Sequence, residues 1–220
     1  MKLQAKTGCR IHICHVSTIE EVNILRGKRG GNVSFEVAPH HLFLSEKDME
    51  RLGSFGKVNP PLRTSKDQAS LWSALSSGAC DILATDHAPH PMGEKETDIW
   101  SAPAGMPGVE TLLPLMLNAL SDRRISLGSL INLTSKNPAE IFGLKSKGQL
   151  DKGFDADLTI VDLNEKRKVR GEELQSKCGW TPYEGKLLKG WSTHTIVRGY
   201  LVFENGSFIK NKGEEVGYKR

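Results

Sequence analysis

No two cysteines in this 220-residue chain have C-x-x-C spacing; the four stand at positions 9, 14, 80 and 178. A Cys-rich zinc module and a disulfide framework are thereby excluded, and a reducing compartment, the cytoplasm, is the default expectation. No apolar run is long enough to cross a bilayer either. The longest, Thr111 to Leu120, is interrupted by Pro114 and Asn118, whereas a spanning helix needs about 20 apolar residues. No signal-peptide pattern is read at the start. Lys and Arg are dispersed and the formal net charge is only +4, so neither nucleic acid nor a membrane surface is an expected partner. What is present is an ordinary globular composition, 38% hydrophobic and 25% charged, in a length that suits one or two domains.

Against that background the histidines are concentrated. Six of the seven form the pairs 12/15, 40/41 and 87/90, each associated with an apolar segment that reads as a strand: 10–15, 33–37 and 80–83. The run Ala84-Thr85-Asp86-His87-Ala88-Pro89-His90 places a carboxylate and two imidazoles where a strand should end. In a barrel of alternating strands and helices, that rim carries catalysis. Asp86 suits a metal or a proton relay, and His87 and His90 suit nitrogen donation or hydrogen bonding as cations. A polar loop that happens to contain two histidines is the plainer alternative. Three strand ends with histidines favour one shared metal centre, since zinc gathers about four ligands from separate segments.

The chain order reads strand, helix, strand, long loop, helix, strand, long loop, helix, which gives parallel βα units. Met1 to Gly8 reads as the last turns of a helix closed by a glycine cap, so the chain is expected to open inside a helix, as a truncated or split protein would. Ser17 with Glu20, and Ser65 with Gln68, have capping-box spacing ahead of helical apolar stripes. Val109, Leu112, Leu113, Met116, Leu117 and Leu120 mark a further stripe, read as core packing. Asn137, Pro138, Glu140 and Gly143 bracket a short helix. Beyond about Leu144, glycines punctuate β-rich runs at 158–161, 195–198 and 200–203. The expected division is therefore 1–143, a βα domain, and 144–220, a small β-rich domain in which the lone His194 has a surface or packing role.

Alternation along the first strand puts Ile11, Ile13 and His15 on one face and His12 and Cys14 on the other. With His15 turned to the mouth as a metal ligand, His12 is expected to face the helices as a hydrogen-bonded packing residue. Cys14 is read as a buried inert thiol rather than a soft ligand. Glu36, His40 and His41 are read as supports that orient the ligands or add a metal contact. Asn59, stiffened by Pro60 and Pro61, offers both a donor and an acceptor. Arg63 suits a carboxylate or a surface salt bridge. Lys95 and Glu96 read as solvated loop charges.

The runs HICHVST (12–18), FEVAPHHLFLSE (35–46), KVNPPLR (57–63), ATDHAPH (84–90), PAGMPGVETLLPLML (103–117) and GWTPYEGKLLKG (179–190) resemble dihydroorotases of the amidohydrolase superfamily. More narrowly, they resemble the branch related to the dihydroorotase domain of the animal multifunctional pyrimidine enzyme. The resemblance covers nearly the whole chain. It implies an α/β fold: units six to eight of a metal-dependent-hydrolase TIM (β/α)8 barrel, followed by a small β-rich domain entered at Asp155-Ala156-Asp157. It implies zinc, two ions in the complete enzyme, with His15 and Asp86 as ligands and Asp86 also as the catalytic proton carrier. Asn59 and His90 are implied to contact the substrate ring and carboxylate, and Ala104 and Gly105 to face the ring, where glycine permits close approach. The implied reaction is reversible hydrolysis of L-dihydroorotate to N-carbamoyl-L-aspartate in pyrimidine formation.

The family's first-strand His-x-His pair, its bridging lysine or aspartate and its fifth-strand histidine have no counterpart here. The resemblance thus implies a fragment, inactive in isolation, whose partners are the missing N-terminal barrel half, a homodimer mate or other pyrimidine-pathway enzymes. Two other readings stand beside it. One is another cyclic amidohydrolase (allantoinase, hydantoinase or dihydropyrimidinase), disfavoured by the NPPLR and TDHAPH loops. The other is a non-catalytic assembly subunit, disfavoured by intact His15 and Asp86.

Overall fold

Three short parallel strands, β1 (Ile11–Ile13), β2 (Val33–Val37) and β3 (Ile82–Leu83), lie side by side in that order. The structure, a computed structural model, describes residues 2–27, 32–209 and 213–218; Met1, included in the expected opening helix, lies outside them. That helix, α1 (Lys2–Thr7), ends as expected at Gly8, whose φ is +67° and whose N–H donates to the Gln4 carbonyl at 2.8 Å. Parallel neighbours need a crossover connection, and helices supply it. α2 (Ile19–Arg26) lies between β1 and β2, and α3 (Pro39–Phe43), α4 (Met49–Leu52) and α5 (Ser65–Ser76) lie between β2 and β3.

The register pairs His12 with Ser34, Ile13 with Phe35 and Val37 with Leu83. Phe35 and Val37 are fully buried, as are Val22 of α2 and Leu71 and Leu75 of α5. His12, Ser34 and Glu36 occupy the opposite face and are half-buried. β1 and β3 are shorter than the runs 10–15 and 80–83 that suggested them, whereas β2 has the expected bounds.

Both capping boxes are displaced by one residue from their expected places. Thr18, with extended backbone, accepts from the Glu21 N–H at 3.2 Å, and Thr64 accepts from the Asp67 N–H at 3.2 Å. Adjacent hydroxyls competed at each site, and the one on the last extended residue took the cap. Ser17 instead donates its N–H to the Glu21 carboxylate at 3.0 Å. Asp67 also accepts from the Ile19 N–H at 3.0 Å, so one carboxylate serves the starts of both α2 and α5.

After β3 come α6 (Met92–Lys95), α7 (Leu112–Ser121), α8 (Leu127–Ile131) and α9 (Asn137–Ile141). Asn137 is the first residue of α9 but does not cap it. Its φ of −63° and ψ of −44° are helical, and the helical backbone runs on from the Ser126 cap through a π segment at Asn132–Lys136. Pro138 has no N–H to give, and the wider turn just before it relieves the hydrogen-bond ladder, with the Asn137 N–H reaching the Asn132 carbonyl. The last part of the chain forms an antiparallel sheet of β4 (Leu158–Lys168), β5 (Leu187–Val197), β6 (Tyr200–Glu204) and β7 (Ser207–Phe208).

Contacts gather the chain into two compact units, Met1–Leu112 with Val169–Lys186, and Leu113–Lys168 with Leu187–Arg220. This grouping puts nearly all of α7, with α8 and α9, in the same unit as the antiparallel sheet. Within the second unit, a Cβ at Gly190 would stand 2.5 Å from Leu117 Cβ, and its φ is +100°, so glycine is required where β5 passes α7. Among the described residues no helix is long and apolar enough to cross a membrane.

Candidate active site

The site begins where β1 and β3 stop. His15 has φ +40° and Asp86 φ +45°, a left-handed conformation that non-glycine residues adopt rarely and at some cost. The Val16 N–H donates to the Glu36 carbonyl at 2.9 Å, and the Ala84 N–H to the Val37 carbonyl at 3.2 Å. Because the left-handed turn interrupts the extended backbone, alternation does not carry from Ile13 to His15. His12 therefore does not face the helices: it lies on the half-buried face with Ser34 and Glu36. Its Nδ1 is 2.8 Å from Ser34 Oγ and its Nε2 is 2.8 Å from Glu36 Oε2, so its hydrogen-bonding role holds while its direction is reversed. Cys14 is exposed rather than buried. Partial desolvation, then the carboxylates of Glu36 and Asp86, push its thiol up. Ligand atoms of His12, Cys14 and Glu36 come within 4.8 Å of one another, but both imidazole nitrogens are engaged.

β2 delivers the second component. Pro39 opens α3 and turns the chain at once, which buries His40 and His41 immediately beyond the strand. The two rings lie 4.3 Å apart at 60°. Among the described residues, Nε2 of His40 and both ring nitrogens of His41 have no hydrogen-bond partner. Such groups are costly to bury. Burial first, then the His41 and His15 imidazoles, push His40 down to about 3; burial, His15 and Arg63 push His41 down to about 4. Both rings are therefore neutral near pH 7, with lone pairs to offer.

Asp86 Oδ2 lies 3.7 Å from His40 Nε2. Burial raises the Asp86 carboxyl, Glu36 adds to the rise and His15 opposes it. His15, Glu36, His40, His41 and Asp86 thus act on one another as one electrostatic group. Uncommitted buried imidazole nitrogens beside a carboxylate fit a nitrogen- and oxygen-ligated transition metal. A carboxylate with a raised pKa also fits a proton carrier.

From Asp86 the chain runs into a second cluster. His87 Nδ1 accepts from the N–H groups of Gly108 at 3.0 Å and Val109 at 3.3 Å, and His87 forms a parallel bridge with Met106. That acceptor role assigns the ring proton to Nε2 and makes His87 the support of the 104–109 segment. His90 Nδ1 is 3.1 Å from Glu94 Oε2, and the His90 carbonyl accepts from Trp180 Nε1–H at 2.8 Å. Gly105 has φ +142°, and a Cβ there would meet the Ala88 carbonyl oxygen at 2.6 Å and His90 Cδ2 at 3.3 Å. His90, Gly105 and its neighbour Ala104 are thus brought together. The Gly105 N–H donates to the Lys57 carbonyl at 2.9 Å, two residues before the exposed Asn59. Arg63 is half-buried, with Nε 3.4 Å from Ser17 Oγ, and its charge bears on His41 and Asp67.

Lys95 is not a solvated loop charge. Its relative exposure is 0%, and Nζ donates to the carbonyls of Lys57 at 3.2 Å, Pro103 at 2.8 Å and Gly105 at 3.1 Å. Burial, with a smaller push from Lys57, lowers its pKa to about 8. Glu96 is exposed, as expected. A lysine between Glu94 and Glu96 carries no local mark of burial; only the convergence of carbonyls from distant segments reveals it.

Residues 2–202 match the amidohydrolase family. A curated dihydroorotase of Halobacterium salinarum is 42% identical over 98% of this chain and 50% of its own length. One of Methanosarcina acetivorans is 45% identical over 97% of this chain and 48% of its own. The chain therefore spans about half the length of the curated relatives it matches. An L-hydantoinase (dihydropyrimidinase) of Arthrobacter aurescens is similar in structure with TM-score 0.91 and 36% identity, over 95% of this chain and 48% of that one. An inactive dihydroorotase-like domain of a Chaetomium thermophilum CAD-like multifunctional protein, at TM-score 0.69 and 23% identity, shares the fold over 94% of this chain and 55% of that one. The parallel βα units are accordingly part of a (β/α)8 barrel accompanied by a smaller β-rich region.

Proposed function

The chain belongs to the amidohydrolase family of metal-dependent hydrolases, and on that premise we propose that it forms part of a dihydroorotase, with residues 1–143 contributing to the barrel and 144–220 to the β domain. The observation that carries the site is the placement of His15 and Asp86, both in left-handed backbone just past their strands, around two buried imidazoles with uncommitted nitrogens. His15 and Asp86 are this chain's metal ligands, and His40 and His41 offer further lone pairs in support. The proposed metal is zinc, two ions in the complete enzyme, which when bound lowers the pKa of water and polarises an amide carbonyl.

The chain's own residues do the rest. Asp86, its carboxyl raised by burial, accepts a proton from the attacking water and gives it to the ring nitrogen as the C–N bond breaks. Asn59 and the Ala104–Gly105 backbone hold the ring, and His90 holds the carboxylate, of L-dihydroorotate; the product is N-carbamoyl-L-aspartate. Four free cysteines suit a reducing compartment such as the cytoplasm.

The curated dihydroorotases are more similar in sequence than the hydantoinase, 42% and 45% against 36%, which favours the six-membered ring carrying a carboxylate. The close structural likeness to the hydantoinase keeps one alternative, a neutral cyclic diamide. Turnover of L-dihydroorotate, hydantoin and allantoin by the full-length enzyme that contains this chain decides between them. L-dihydroorotate should have the highest kcat/KM, and preference for either other ring overturns the assignment.

A further inference from the structure

Lysine is almost never fully buried unless it is paired, yet Lys95 is fully buried and its partners among the described residues are carbonyls rather than a carboxylate. Its ammonium has three protons, and three main-chain carbonyls take them: Lys57, Pro103 and Gly105. The first belongs to the segment that leads into Asn59. The other two flank Ala104. The Lys57 carbonyl also accepts the Gly105 N–H at 2.9 Å, so the two segments meet at one oxygen that carries two donors.

The Lys95 main chain is held as well, since Ser54 Oγ donates to its carbonyl at 2.5 Å. The Trp180 ring centroid lies 5.8 Å from Nζ, and the Trp180 indole N–H is the donor to the His90 carbonyl. A single buried cation therefore touches the Asn59 segment and both sides of Ala104, and reaches the His90 segment through one indole. Carbonyl oxygens repel one another unless a donor lies between them, and no uncharged side chain carries three protons on one atom.

We propose that Lys95 is a positioning residue of the substrate site, tying the Asn59 and Ala104–Gly105 segments into one ring-binding surface from beneath. The proposal rests on the dihydroorotase reading for its substrate, though not for its geometry. Replacing the ammonium by a methyl-ended chain of similar length leaves three carbonyls without their shared donor and lets the two segments separate, while His15 and Asp86 keep their own supports.

The test compares Lys95→Met with wild type in the full-length, metal-loaded enzyme, with KM, kcat and metal content measured for each. The wild type is assayed first on L-dihydroorotate, hydantoin and allantoin, which tests the substrate reading separately. The Lys95→Met ratio is then taken on whichever ring the wild type turns over. KM should rise about tenfold with a smaller fall in kcat and unchanged metal content, the pattern of lost substrate positioning. A role in folding alone would lower the yield of active enzyme and leave KM where it was, and that result overturns the proposal. If Lys95→Met does not fold, Ser54→Ala, which releases only the Lys95 main chain, is measured instead. A KM raised about twofold or more supports the positioning role, and an unchanged KM overturns it.

Discussion

His40 Nε2 stands 3.7 Å from Asp86 Oδ2, a fully buried imidazole facing a half-buried carboxylate across a gap too long for a good hydrogen bond. Neither group is satisfied by the other. Burial holds the imidazole neutral and raises the carboxyl, so both remain available to a metal or to a travelling proton.

Asp86→Asn in the full-length enzyme preserves the shape of the side chain but removes the proposed proton acceptor. Turnover should fall by about a hundredfold or more, the usual scale of a general acid–base contribution, with KM for L-dihydroorotate changing much less. Near-normal kcat in this variant would show that Asp86 does not carry the proton.

Acid should destabilise the metal-free protein through the two buried histidines. Their folded-state values, about 3 for His40 and about 4 for His41, lie below the ordinary 6.5. Between those values the unfolded chain binds more protons, so this contribution is fully present above 6.5 and is lost as pH falls from 6.5 toward 4 and then 3. The raised Asp86 carboxyl works in the opposite sense, which makes a difference measurement necessary. The urea midpoint should drop from pH 7 to pH 5, and drop less in His41→Leu. Equal drops in the two proteins would remove His41 from the account.

His87 should matter for the shape of the 104–109 segment rather than for the metal. His87→Leu leaves the half-buried Gly108 N–H and the exposed Val109 N–H without their acceptor, at a cost of about 0.5–1.5 kcal/mol, the net worth of an ordinary hydrogen bond. His87→Asn keeps a side-chain acceptor near the same place and should recover part of that loss. Urea unfolding and amide exchange at Gly108 compare the three proteins. Unaltered exchange in His87→Leu would contradict the role, as would loss of bound metal with the segment intact.

Much of the scaffold could be read from local pattern. Val33–Val37 alternates cleanly between one buried and one open face, and β2 has those bounds. Gly8 closes α1 because a residue without Cβ reaches φ +67° at no steric cost. The caps were readable to within one residue, since the hydroxyls at Ser17 and Thr18, and at Thr64 and Ser65, are chemically near-equal candidates. β4 extends past the expected 158–161 to Lys168: pairing with β5 holds Asp162, breaks into an irregular stretch, and resumes over Lys166–Lys168, residues with weak strand preference. Asn137 carries the chemistry of a cap, yet it continues a helix that began at Ser126.

The sequence by itself determined which donors exist and roughly where strands lie: the histidine pairs, Asp86, and the glycines that allow turns and close approach. These are properties of residues and of their neighbours a few positions away. Only the tertiary structure decided that His12 lies on the half-buried face with Glu36, that His40 and His41 keep unpartnered nitrogens, and that Lys95 is buried under three carbonyls. A side chain's solvation is set by what the rest of the chain brings against it. For Lys95 those groups stand at residues 57, 103 and 105, and no local pattern around a lysine flanked by glutamates encodes their arrival.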